Sequence, residues 1–250
     1  MKLVQFFREN PKVAVAFSGG VDSAYLLYAA VSCGAEVKAY YVNTAFQPAF
    51  ELEDAQRLAA GLGVELKALP VDIFSYPRIL ENPPDRCYHC KRALFTQILE
   101  AAQADGFPVL LDGTNASDDA SDRPGMRALR ELQVRSPLRE CGLAKTEIRA
   151  RSKAAGLFTH DKPAYACLAT RIPAGEPITE EKLRKTEQAE TYLFSLGLRD
   201  LRVRMQGNTA KLQVTEADLP LVLENRAAIV AKLKQAYDNV VLDLEVRHEQ

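Results

Sequence analysis

Short unbroken apolar runs, separated by segments of helical period, organise the first half of this chain. Residues 13–17 (Val-Ala-Val-Ala-Phe) are apolar throughout, with a β-branched Val at every second place. The run is too short for a helix and predicts a strand buried on both faces. Residues 21–31 then space their apolar side chains as a helix does. The same succession continues with a strand at 37–42, a helix at 50–62 ended by Gly63, a strand at 64–69, a helix at 92–104 and a strand at 108–111. Strands alternating with helices predict an α/β fold: a parallel sheet with helices on both faces.

The pattern changes further along. A helix at 145–155 leads into an irregular connection, 162–173, bounded by prolines. Beyond it the spacing predicts a helix at 179–196, strands at 201–205 and 209–214, a helix at 219–237 and a strand at 240–246. That succession is a smaller α/β unit. Two domains are therefore expected, 1–165 and 166–250, with the linker near 161–175. No internal repeat or low-complexity tract interrupts them.

Composition mainly excludes. A chain of 250 residues has ample material for a core. A net charge of −1 gives no general attraction to nucleic acid or to a membrane surface. No apolar run approaches the roughly 20 residues of a membrane span, and Met1-Lys2-Leu3-Val4-Gln5 leads to a charged segment instead of a signal peptide. A cytoplasmic protein is expected. Five cysteines, an odd number, read as thiols or metal ligands and not as a disulfide framework.

Ser18-Gly19-Gly20-Val21-Asp22-Ser23 joins the first strand to the first long helix. Glycines let the backbone turn tightly and approach a ligand, and the free N–H groups of a helix start attract anions. Ser18 and Ser23 add hydroxyls, and Asp22 adds a carboxylate suited to a metal-bound phosphate. No Gly-Lys-Ser/Thr closes the turn, so it is not a Walker A loop. Parallel sheets bind ligands at the carboxyl ends of their strands. Asn43 after the second strand and Asp112-Gly113-Thr114-Asn115 after the fourth are expected to converge on the same nucleotide pocket. Four Asp within residues 112–122 form either a solvated loop or magnesium ligands.

Cys87 and Cys90 form a CxxC pair inside a proline-rich, polar stretch, 74–91, that predicts a loop. Structural zinc lacks a second pair at similar spacing, since His160 is isolated and His248 lies in the tail. A thioredoxin-type pair needs a helix start just after a strand. Iron–sulfur ligation stays open, but two cysteines do not hold a cluster alone. Cys167 lies in the 162–173 connection beside Arg171, which suits an anionic substrate and favours thiolate. Cys33 and Cys141 read as small hydrophobes. Arg202 and Arg204 share one face of a strand, where they are either solvated or a phosphate clamp.

SGGVDS resembles the PP-loop of the ATP pyrophosphatase superfamily, which cleaves ATP between the α and β phosphates. That resemblance implies a Rossmann-like domain of the adenine nucleotide α-hydrolase kind. A wider set, namely SGGVDS, DRCYHCK, DGTNASDDASDRPG, VRSPL, KPAYACLATRIPAGEPIT and LRVR in that order, resembles the LarE-type ATP-dependent sulfur transferases. The family adenylates carboxylates of pyridinium-3,5-biscarboxylic acid mononucleotide and converts them to thiocarboxylates for the nickel-pincer cofactor. The resemblance implies ATP and Mg²⁺ at Ser18, Gly19, Gly20, Asp22, Ser23, Asn43, Gly113 and Asn115. It implies Lys91 at the phosphates or the acyl-adenylate, Arg202 and Arg204 at the substrate phosphate, and Glu190 with Arg171 on the substrate side.

One branch of that family sacrifices a single cysteine. Aligned on Arg-Ile-Pro, that cysteine falls at Ala166 here, one residue before Cys167. This chain resembles instead the three-cysteine branch, which implies a 4Fe–4S cluster on Cys87, Cys90 and Cys167. Alternatives are sulfur given up by Cys167 alone, an amide-forming enzyme of the NAD synthetase type, and a nucleotide-binding or zinc-storage module without turnover. The partner expected is a small nucleotide substrate and a further copy of the chain in a homo-oligomer, with no nucleic acid and no membrane.

Overall fold

A computed structural model describes residues 2–118 and 124–247. Along the chain run α1 (Leu3–Glu9), β1 (Lys12–Ala16), α2 (Val21–Ser32), β2 (Glu36–Asn43), α3 (Ala49–Gly61), β3 (Leu66–Pro70), α4 (Pro77–Leu80) and α5 (Arg86–Ala104). There follow β4 (Val109–Leu111), α6 (Pro124–Glu131), α7 (Pro137–Glu140), α8 (Lys145–Ala154) and α9 (Glu180–Ser195). The chain ends with β5 (Leu201–Gln206), β6 (Thr209–Val214), α10 (Leu219–Glu224), α11 (Arg226–Leu233) and β7 (Asn239–Leu242). It divides into two compact units, Met1–Ser75 with Asp85–Lys162, and Tyr76–Pro84 with Pro163–Gln250. No described helix is long and apolar enough to cross a membrane.

The first unit is the expected parallel α/β sheet, ordered β3-β2-β1-β4. Val13 on the central β1 pairs with Val37 on one side and Val109 on the other. Val13 and Val15 join a core with Phe6, Leu26, Leu58 and Ile148, whereas Ala14 packs on the opposite face with Tyr40, Ile98 and Ala102. Burial on both faces is why the strand is apolar at every position and not at alternate ones. After β4 the chain passes through α6 and returns. Arg135 bridges Leu111 in parallel, with Asp112 N–H donating to its carbonyl at 2.9 Å. That return sets residues 135–140 beside the carboxyl end of β4.

The second unit holds a three-stranded sheet, β5-β6-β7. β5 and β6 form an antiparallel hairpin, and β7 lies parallel to β6. Leu201, Val203 and Met205 supply a buried face of β5, and α9 buries Leu183, Ala189 and Leu193. The short segment Tyr76–Pro84 belongs to this unit despite its place early in the chain.

Several boundaries differ from the pattern. Residues 86–91 are the first turns of α5 and not a loop. Pro83 and Pro84 end what precedes them, and Tyr88 is drawn inward, so the helix starts as soon as the prolines are passed. The single helix expected at 219–237 is broken at Asn225, whose side-chain amide donates to the Leu221 carbonyl at 2.9 Å and competes with the helical ladder. β7 stops at Leu242 because Asp243 is held by Lys211 at 2.7 Å and Gln213 at 2.7 Å. Helices α1, α6 and α7 were not expected from periodicity, being short or opened by proline.

Candidate active site

The turn after β1 is tied by its own serines. Ser23 Oγ donates to the Gly20 carbonyl at 3.2 Å, accepts the Ser18 N–H at 3.3 Å, and lies 3.1 Å from Ser18 Oγ. Gly19 has φ +71° and presses on α3, where a Cβ would lie 3.3 Å from the Glu51 carbonyl oxygen. Gly20 caps α2 with no side-chain hydrogen bond, which leaves first-turn N–H groups for a ligand. Gly113, from the loop after β4, lies so close that a Cβ on it would stand 2.9 Å from Ser23 N. The two loop segments therefore do meet, backbone against backbone.

Asp22 sits at their junction. Its Oδ2 accepts Lys145 Nζ at 2.5 Å and its Oδ1 accepts Asn115 Nδ2 at 3.4 Å. Burial raises its pKa above the ordinary carboxylate range, with Lys145 pulling the other way. Asn115 is fixed in turn: its N–H donates to Asp118 at 2.8 Å and its side-chain oxygen accepts Ser117 N–H at 2.8 Å. Asp112 is buried and accepts the hydroxyls of Thr114 and Ser136. Asp119 and Asp122 lie outside the described residues. Asn43 is exposed at the end of β2, and its carbonyl accepts Val71 N–H at 3.0 Å.

Cys87 and Cys90 stand three positions apart on the opening turns of α5, Cys87 exposed and Cys90 half-buried. Side chains at that spacing share a helix face. The turn is pinned by Tyr88, whose hydroxyl donates to Glu131 on α6 at 2.8 Å and accepts from Arg92 at 3.2 Å. Arg127 covers the Tyr88 ring at 3.8 Å. Lys91 lays its stem on Gly125, where a Cβ would come within 3.1 Å of Lys91 Cδ. None of the five cysteines forms a disulfide. Among the described residues no group of three His, Cys, Asp or Glu stands together to hold a metal ion.

In the second unit Cys167 is half-buried and opens a short 3₁₀ turn, Leu168–Arg171. Arg171 is 1% exposed, and so is Glu190. Arg171 Nε and Nη2 donate to the two Glu190 oxygens at 2.7 and 3.0 Å, a bidentate pair. The Arg171 Nη1 donates to the Ala166 carbonyl at 2.9 Å and to Thr170 Oγ1 at 2.7 Å. Glu190 also accepts the Tyr165 hydroxyl and, at 2.8 Å, the Val203 N–H. Arg202 is buried against Tyr165, donates to the Ala164 carbonyl, and reaches Asp200 at 3.4 Å. Its pKa is pushed down to about 10 by burial and by the charges of Arg171 and Arg247. Arg204 is exposed and donates to the Thr170 carbonyl at 2.7 Å. Arg247 Nη2 also reaches Asp200, at 3.1 Å, so Arg171, Arg202, Arg204 and Arg247 are four guanidinium groups against the two carboxylates Glu190 and Asp200 in this part of the second unit, a surplus of positive charge.

A family model described as queuosine biosynthesis protein QueC matches residues 12–78, the segment with the serine–glycine turn. An uncharacterized protein of Synechocystis sp. is 37% identical over 97% of this chain and 92% of its own length. The pyridinium-3,5-bisthiocarboxylic acid mononucleotide synthase of Lactiplantibacillus plantarum is 33% identical over 86% of this chain and 79% of its own. The chain belongs to the LarE family. The tRNA-specific 2-thiouridylase MnmA of Thermotoga maritima is 29% identical over 48% of this chain and 40% of its own. As a LarE-family member of the PP-loop ATP pyrophosphatases, the protein is an ATP-dependent enzyme.

Two basic residues at this LarE-family turn escaped the pattern. Lys145 is the first residue of α8, held there by its N–H donating to Ser117 Oγ at 3.0 Å. A cation at a helix start opposes the helix dipole, and that misplacement was the available signal. Lys162 reaches Asp54 at 2.7 Å and the Gly19 carbonyl at 3.5 Å. No local spacing marks it.

Proposed function

We propose that the protein is an ATP-dependent sulfur transferase that acts on a pyridinium carboxylate mononucleotide, with the nickel-pincer cofactor as the end of the route. The observation that carries the reading is the match, over most of both chains, to a synthase named for the bisthiocarboxylic acid mononucleotide. The first unit supports the ATP half. The Gly19–Gly20 turn and the α2 N–H groups receive the departing pyrophosphate, with Ser23 beside them. Lys145 balances the charge that builds there, and Asp22 would hold a Mg²⁺ that would supply further positive charge. The substrate carboxylate attacks the α-phosphorus, giving an acyl-adenylate and pyrophosphate. A carboxylate is a poor electrophile, and adenylation supplies its leaving group. Asn43, Gly113 and Asn115 line the nucleotide, and Lys91 meets the phosphates or the acyl-adenylate.

The second unit supports the substrate half. Its arginine surplus suits a phosphate, with Arg202 and Arg204 as donors. Arg171 and Glu190, buried and bound to each other, shape the turn that carries Cys167. Cys87, Cys90 and Cys167 fit a 4Fe–4S group by chemistry: three thiolates, each reachable, two of them at CxxC spacing. Those three cysteines would hold such a group, and it would supply the sulfide to be transferred. Release of AMP and pyrophosphate from ATP only with the mononucleotide present, with the product gaining sulfur, tests the function. Iron and acid-labile sulfide after anaerobic purification test the cluster. Dehydroalanine at Cys167 in place of both would establish the single-cysteine route.

A further inference from the structure

Gln213, on β6, stands between two charged groups of the second unit. Its amide oxygen accepts Arg204 Nε at 2.6 Å, and its amide nitrogen donates to Asp243 Oδ2 at 2.7 Å. These neighbours decide which end of the amide faces which, because a guanidinium only donates and an ionised carboxylate only accepts. Asp243 is kept ionised. The Lys211 ammonium at 2.7 Å, and after it the Gln213 amide, hold its pKa below the ordinary carboxylate range. Lys211, Asp243, Gln213 and Arg204 thus form one continuous chain of donors and acceptors.

The register of the hairpin sharpens the point. Arg202 lies opposite Gln213, and Arg204 opposite Lys211, all on one face of the sheet. Two cations directly opposite each other repel. Asp243 answers the charge of Lys211, but among the described residues Arg204 forms no ion pair. Its Nη1 donates to the Thr170 carbonyl at 2.7 Å, its Nε to Gln213, and Nη2 is left over. Burial, and then the charges of Arg171 and Arg247, lower its pKa. The Thr170 N–H and hydroxyl donate to the Cys167 carbonyl at 3.0 and 2.9 Å, so this guanidinium is tied to the turn that bears Cys167. A carboxylate at position 213 would grip Arg204 as firmly and cancel its charge. An amide grips it and leaves the charge for a ligand.

We propose that Gln213 is a positioning residue for an anion site at Arg204, fixing the guanidinium beside the Cys167 turn without neutralising it, so that it receives the substrate phosphate. The inference rests on the reading of Arg204 as a donor to that phosphate. It is tested in the full chain, with a non-hydrolysable ATP analogue saturating the nucleotide turn of the first unit. Inorganic phosphate and a pyridinium carboxylate mononucleotide are then titrated separately. Gln213→Glu keeps the size and adds a charge that cancels Arg204. Gln213→Met keeps the length and removes both hydrogen bonds. Thermal unfolding identifies which variants are folded, so either one alone suffices. Affinity for whichever ligand the parent binds is expected to fall about tenfold in Gln213→Glu, the loss of one charged hydrogen bond. It falls by a smaller factor in Gln213→Met, where Arg204 keeps its charge and loses its preorganisation. Affinity for the ATP analogue stays at the parent level in both. Unchanged ligand affinity in a folded variant, or an equal loss for the ATP analogue, overturns the proposal. So does a parent that binds neither ligand, or whose binding is untouched by Arg204→Gln. A parent that transfers sulfur, with mononucleotide affinity unchanged in folded Gln213→Glu, overturns the positioning role and leaves the function intact. No sulfur transfer in the parent, with phosphate binding still dependent on Gln213, removes the function and supports the positioning role.

Discussion

Lys145 Nζ lies 2.5 Å from Asp22 Oδ2, and the two residues come from the first turns of different helices, α8 and α2. The pair sets a cation and a carboxylate beside the serine–glycine turn after β1. Replacing Lys145 by Met removes the cation and keeps most of its bulk. Pyrophosphate release is expected to slow by roughly 10²-fold, the usual loss of one preorganised charge partner. Rates close to the parent in a steady-state pyrophosphate assay would remove Lys145 from the site.

Asp22 gives a stability test of opposite sign. Its folded pKa is raised by burial, so the folded state binds this proton more tightly than the unfolded state does. The contribution is fully present below the unfolded pKa and is lost as pH rises through the folded one. At neutral pH the ionised side chain therefore costs stability. Asp22→Asn is expected to unfold at higher temperature than the parent at pH 7, with the gap closing in acid, while pyrophosphate release is lost. Melting curves across pH check this, and a lower Tm at pH 7 contradicts it.

Gly113 and Gly20 should respond differently to a single methyl group. A Cβ at Gly113 meets the Ser23 backbone nitrogen at 2.9 Å, whereas at Gly20 its nearest neighbour is Ser18 Oγ at 3.5 Å. Gly113→Ala is expected to cost ~1–3 kcal/mol by overpacking and to weaken ATP binding. Gly20→Ala should cost less. Urea unfolding of the pair measures the contrast, and equal losses would mean that the loop relaxes freely.

Glu190 accepts from Arg171, Tyr165 and the Val203 N–H inside the second unit. Glu190→Ala leaves a buried guanidinium without its carboxylate, at a cost of ~3–5 kcal/mol. The same change in an exposed ion pair such as Arg78–Glu81 is worth at most about 1 kcal/mol. Denaturant midpoints of the two variants discriminate. A small loss at Glu190 would mean that water or substrate replaces it.

The three thiols are expected to behave as one unit. Cys87→Ala, Cys90→Ala and Cys167→Ala should each lose iron and sulfur transfer, and the triple change should be no worse than any one of them. Cys33→Ala and Cys141→Ala, which pack against the first unit's core, should keep the iron. Active Cys87→Ala and Cys90→Ala proteins, together with an essential Cys167 that loses its sulfur, would argue for sacrifice in place of a cluster.

Local chemistry made much of this protein readable without a fold. Strands buried on both faces must be apolar at every position, so β1 and the parallel sheet were legible in 13–17 and the runs after it. Gly19, Gly20 and Ser23 were legible as a turn between strand and helix, because such a turn needs residues that bend and a hydroxyl that ties it. Long-range partners were not. Lys145 meets Asp22 only because the chain returns beside β4 at Arg135, and no spacing in the sequence encodes that return. Arg171 and Glu190 were expected on the substrate side, and that each is buried against the other is decided by tertiary packing. The CxxC pair lay in a stretch whose prolines read as loop, and burial of Tyr88 against α6 decided that it is helix. Periodicity reports what one segment does with its own neighbours; which distant side chain completes a charge or a hydrogen bond is decided by the packing of the whole unit.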